Sequence, residues 1–113
     1  MEKKRGPLYT KDEVVLCAYA AMYNAADFGG INKISKLKER SIDSIKMKIQ
    51  NIASMLDEEK VKRYNYDKIS PLTGLTTGES GRKTNWNIVK ELYPLSQADF
   101  LSMCKKIVKE KNL

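Results

Sequence analysis

Histidine is missing from all 113 residues of the chain. Without it there is no imidazole to act as a general base, a metal ligand or a switch near neutral pH. Serine–histidine–aspartate and cysteine–histidine constellations are excluded with it. Only two cysteines occur, Cys17 and Cys104. Both sit inside apolar helical patterns and read as buried thiols, since disulfide-stapled domains of this size carry denser cysteine frameworks. Two separated cysteines also fall short of a four-ligand zinc cage. Long apolar runs are lacking too, and no stretch nears the roughly 20 residues that a membrane-spanning helix needs. The acidic residues are scattered. Carboxylate-only metal chemistry stays open in principle, but Asp57-Glu58-Glu59 reads as a helix-surface or turn cluster. The expectation is a protein that is not an enzyme and needs no metal or cofactor.

What is present is lysine. The formal net charge is +7, and it is uneven. Residues 1–30 are balanced, while residues 31–56 hold six basic and two acidic side chains. A localised basic surface suits a polyanion better than a diffuse one does. At the start, Met1-Glu2-Lys3-Lys4-Arg5 leads into Gly6-Pro7 rather than into an apolar segment, so no secretory leader is read and a cytoplasmic setting is expected.

Periodicity predicts an all-α fold. Residues 1–9 read as a basic tail, and 10–113 as a single helical domain. Thr10-Lys11-Asp12-Glu13 has the form of a capping box, with Leu8 or Tyr9 before it as staple partner. The helix from 11 to about 24 is too apolar to stand alone and is expected at the centre of the core. Gly29-Gly30 is expected to reverse the chain. Ile31, Ile34 and Leu37 then mark a helix over 31–38.

Ser41 follows as an N-cap. Ile42, Ile45, Ile49, Ile52 and Leu56 lay a buried stripe along a helix over 42–56. Its opposite face is predicted to carry Asp43, Lys46, Met47, Gln50, Asn51 and Ser54, with Lys48 at the flank. Asp57 to Tyr64 extends or restarts that helix. Residues 65–84, with Pro71 and three glycines, read as an irregular loop. C-terminal helices over 85–110 complete the bundle: one around Trp86, ended by Pro94, and one capped by Ser96 with Asp99 at the third position. Lys105, Lys106, Lys109 and Lys111 crowd the end of the last helix, where cations suit the negative pole of the helix dipole.

The segment 10–56 therefore has the order and spacing of a helix-turn-helix-like three-helix unit. In such units the third helix, about 10–12 Å across, enters a major groove about 12 Å wide.

The segment from Tyr9-Thr10 through Asp12-Glu13-Val14-Val15-Leu16, then Gly29-Gly30, Leu37 and Arg40-Ser41-Ile42-Asp43-Ser44-Ile45-Lys46-Met47-Lys48-Ile49-Gln50-Asn51-Ile52, carries a resemblance. It is similar to the helical domain that precedes the HNH nuclease module in some bacterial restriction-type proteins, and more faintly to Myb-like domains. The resemblance covers about half the chain. It implies contact with double-stranded DNA by the helix over 42–56, with Arg40, Ser41, Ser44, Lys46, Lys48, Gln50 and Asn51 as candidates. Arg82 and Lys83 are added for their charge. The nuclease module that follows this domain in that family bears histidine, and these 113 residues hold none, so cleavage is not expected of them.

Two functions fit these residues. One is a non-enzymatic DNA-binding protein, for which a homodimer is compatible because single reading helices often work as symmetric pairs. The other is a phage or mobile-element inhibitor that binds a nucleic-acid-binding protein, a restriction or RNA-guided nuclease, and blocks it. The second reading predicts an exposed apolar or aromatic patch involving Tyr64, Tyr66 or Leu75.

Overall fold

In the computed structural model, residues 9–64 and 85–113 are described. Among them are five α-helices and no strand: α1 (Lys11–Met22), α2 (Ile31–Lys38), α3 (Ile42–Glu58), α4 (Trp86–Leu92) and α5 (Gln97–Glu110). A short 3₁₀ turn, Ala25–Phe28, lies between α1 and α2. The loop expected over 65–84, with Arg82 and Lys83, falls outside the described residues, as do residues 1–8 of the basic tail.

The helix starts follow from their caps. The Thr10 hydroxyl accepts the Glu13 amide and the Glu13 carboxylate accepts the Thr10 amide, which closes the capping box. Ser41 and Ser96 accept the amides of Ser44 and Asp99 in the same way. α1 stops at Met22, two residues short of the expectation. The reason lies in Asn24, whose side chain accepts the Ala26 amide and caps the 3₁₀ turn instead. Gly29 and Gly30 then take positive φ, +120° and +103°. A Cβ on Gly29 would come within 2.8 Å of the Lys33 side chain as well. Between α2 and α3 stand only Glu39, Arg40 and Ser41. Glu39 is left-handed (φ 54°), and the Arg40 amide donates to the Ser35 carbonyl at 3.0 Å while the Ser35 hydroxyl donates to the Arg40 carbonyl.

α1 occupies the axis of the bundle. Every residue from Glu13 to Met22 is buried, and the helix touches all four of the others. That is the physical outcome of a helix without a polar face. Its neighbours form a ring. α2 packs on α3, Lys48 of α3 bonds Asn85 at the head of α4, and α4 and α5 share an apolar cleft lined by Ile88, Leu92 and Met103. α5 closes on α2 through Lys33 Nζ, which donates to the Leu113 carbonyl at 2.9 Å.

Directions follow from the end contacts. Tyr9 meets Ser44 and Glu13 meets Arg40 at the starts of α1 and α3. At the other end Arg63 reaches the Ala21 carbonyl and the Tyr64 amide bonds the Met22 carbonyl at 2.7 Å. α1 and α3 thus run the same way. α5 runs opposite, because Phe100 packs edge-on against Tyr19 near the end of α1 while Lys111 faces Asp12 near its start. Buried Tyr19 finds a polar partner for its hydroxyl in Asp27, 2.6 Å away.

Candidate nucleic-acid interface

The first two turns of α3 are the part of that helix left open. Ser41, Asp43, Lys46 and Met47 are exposed, Met47 at 59%, and Gln50 is half-buried. Lys46 and Gln50 stand one turn apart on one face. The second half of α3 is different, since every residue from Asn51 to Leu56 is buried. The sequence expectation of an open polar face running through Asn51 and Ser54 is therefore corrected. Both are turned inward, at 8% and 3% exposure. α3 is gripped on more than its isoleucine stripe, and small polar residues fill the remaining contacts.

Lys48 is also inside. Its Nζ donates to Asn85 Oδ1 at 2.7 Å and lies 5.2 Å from the centre of the Tyr9 ring. Burial pulls its pKa down from the usual lysine value. Asn85 holds a left-handed backbone (φ 69°), which an asparagine tolerates at the mouth of a helix.

Arg40 lies at the α2–α3 turn and is committed to the fold. Its Nε is 2.5 Å from Glu13 Oε2 and its Nη2 is 3.1 Å from Glu13 Oε1. The Glu13 side chain is fully buried. Burial pushes the Glu13 carboxyl up, but hydrogen bonds from Arg40 and Thr10 outweigh it, and the net pKa is lowered. Ser44 shares a hydrogen bond with the Tyr9 hydroxyl at 3.0 Å. Of the sequence candidates, then, Ser41, Lys46 and Gln50 reach solvent. Arg40, Ser44, Lys48 and Asn51 sit in or beside the packed interior.

Tyr9 was legible only as a staple partner, and Glu13 only as a capping residue. Nothing local in the sequence marks Glu13 as the counter-ion of a residue far along the chain. Asn85 carried no signal beyond its place before a helix.

The far end of the α1/α3 pair holds a second feature. Tyr64 is 62% exposed, yet firmly held. Its ring stacks on Tyr23 with centroids 5.2 Å apart and planes 4° apart. The preceding Arg63 is buried and clasps Asp57 through Nε and Nη2 at 2.8 and 3.0 Å. Tyr23, Tyr64, Tyr93, Met22, Leu95 and Lys62 line an open cleft of about 480 Å³. Trp86 is half-buried and stacks on Tyr93.

Among the described residues, no group of three or more cysteine or carboxylate side chains is placed to hold a metal ion. None of the described helices is long and apolar enough to cross a membrane. No protein-family model, curated protein or solved structure matches the chain.

Proposed function

We propose that the chain binds double-stranded DNA with the first two turns of α3, which enter the major groove. The observation that carries this reading is the short turn Glu39-Arg40-Ser41, with Glu39 left-handed, leading into a helix whose exposed residues, Asp43, Lys46 and Met47, all lie in its first two turns. Helix-turn-helix units reach base edges with the N-terminal residues of their second helix. The resemblance to the domain ahead of HNH nuclease modules points the same way. In this reading Gln50 pairs with an adenine edge, Lys46 with a guanine edge or a phosphate, and Met47 meets a thymine methyl. Ser41 donates to a backbone phosphate. Arg40, Ser44, Lys48 and Asn51 hold α3 at its angle rather than touch the duplex.

The test is a titration against unrelated duplexes at two salt concentrations, with Lys46→Ala and Gln50→Ala beside the parent. Lys46→Ala is expected to weaken binding about 5- to 100-fold, the range for one good contact. Lys48→Ala serves as a folding control, because its ammonium lies inside. Equal, negligible binding by all the proteins would end this reading.

The exposed Tyr64 favours one alternative. In it the chain is a phage or mobile-element inhibitor that docks a defence nuclease on the tyrosine cleft. Tyrosine and methionine are enriched in such contacts. A stable complex would bury more than about 1,000 Å². Tyr64→Ala would then abolish the complex while Lys46→Ala leaves it intact.

A further inference from the structure

Asp43 is an acid on the face of α3 that the DNA-binding reading turns toward a polyanion. At about 100° per residue, Lys46, Gln50, Asp43 and Met47 fall in that order within a sector of about 100°. Ile45, Ile49 and Ile52 point to the opposite side and are fully buried. The sector closes further along at Ser54, which is buried. Those four residues make the open window, and Asp43, which is exposed, stands near its middle.

Among the described residues, no ion pair or hydrogen bond engages the Asp43 carboxylate. Lys46 lies three residues on, within ordinary helical reach, and the two stay apart. The first-turn acids of α1 are committed by contrast: Asp12 faces Lys111, and Glu13 holds Arg40. A carboxylate in the first turn suits the positive pole of α3. That gives a reason for an acid there, but it does not take the acid out of the window. A duplex seated on the window strips water from the carboxylate and sets it among phosphates. It then meets a donor or weakens binding.

The major groove offers such donors on two bases, cytosine at N4 and adenine at N6. Adenine also presents N7, an acceptor, which repels the second carboxylate oxygen. Cytosine presents no acceptor there. We propose that Asp43 is a specificity-determining residue, which accepts from the N4 amine of one cytosine and holds down binding to duplexes that lack it. This rests on the DNA-binding reading of α3. A contact of this kind adds selectivity as much by penalising the wrong base as by favouring the right one.

The experiment uses the full chain to select duplexes from a pool with a randomised core, then titrates the selected duplex and single-pair replacements of it. The parent is compared with Asp43→Ala, Asp43→Asn and, as a control for the helix pole, Asp99→Ala, which removes an exposed first-turn acid from α5. The parent is expected to select cytosine at one fixed position. Replacing that C·G pair by T·A should weaken parent binding about 5- to 100-fold, the range for one base pair. Asp43→Ala should bind the two duplexes alike. Asp43→Asn should move the preference to adenine, whose N6 and N7 an amide matches. Asp99→Ala should select as the parent does. An Asp43→Ala selection that keeps the parent's cytosine, or an Asp99→Ala selection that loses it, would overturn the proposal. So would a parent that binds every duplex alike, although the DNA-binding reading would then stand. A parent that binds no duplex would overturn both.

Discussion

Arg40 lies over the ring of Tyr9, its guanidinium carbon 3.8 Å from the ring centroid, while its nitrogens clasp buried Glu13. Three segments meet in that stack: the lead-in to α1, the first turn of α1 and the turn before α3. It fixes where α3 begins relative to the helix at the centre of the bundle.

The Arg40–Glu13 pair gives stability a pH dependence of definite sign. The Glu13 pKa is lowered on folding from an ordinary 4.5. Its contribution is complete above that value and drains away as pH falls through the folded-state pKa. Glu13→Gln is expected to destabilise by about 2 kcal/mol at pH 7, since a half-buried guanidinium loses its charge-assisted hydrogen bonds to a carboxylate. The difference between the variant and the parent should shrink below about pH 4. Chemical denaturation at pH 7 and pH 3 measures both.

At the head of α4, Asn85 serves two ends. It accepts from buried Lys48 and holds a left-handed backbone. Asn85→Ala removes the acceptor and strains the chain, with an expected cost of about 3 kcal/mol. Asn85→Asp keeps both functions and should melt near the parent. If the alanine variant melts like the parent, Lys48 does not depend on this acceptor.

Arg63 holds the exit from α3. Arg63→Ala is expected to cost about 2 kcal/mol, because half-buried Asp57 loses two charge-assisted hydrogen bonds. Tyrosine signals in the near-ultraviolet circular dichroism should also fall, as the Tyr23–Tyr64 stack loses its anchor. Arg63→Lys should rescue neither, since an ammonium lacks the planar fork.

Both cysteines are free and buried. Burial raises both thiol pKa values, and that of Cys104 is pushed up to about 12. Neither is expected to react with a thiol reagent at pH 8 in the native protein, and both should react on denaturation. Prompt labelling of one thiol in buffer would show local opening of α1 or α5.

The parts of this fold legible in the sequence are the ones that local chemistry determines. Thr10, Ser41 and Ser96 act within a few residues of themselves, and all three cap the helices expected of them. The apolar surround of α1 announced its central place. The exposure of α3 was only half legible. Its isoleucine stripe has a period, but the covering of Lys48 by Asn85 depends on a segment that arrives later in the chain, and the burial of Asn51 and Ser54 has no mark in their polar side chains. Polarity alone gave Lys48 the appearance of an outside residue. The Tyr23–Tyr64 stack had no pattern at all, because it joins the end of one helix to the exit of another.

The central position of α1 also bears on how the chain can be cut. A fragment ending at residue 64 would keep α1, α2 and α3 but strip α1 of the side covered by Phe100, Cys104 and Val89. Water would then meet a wall of alanine, leucine and tyrosine with nothing to replace it. Such a piece is expected to clump or stay molten rather than serve as a minimal module, so the last two helices belong in any version of this protein made for study.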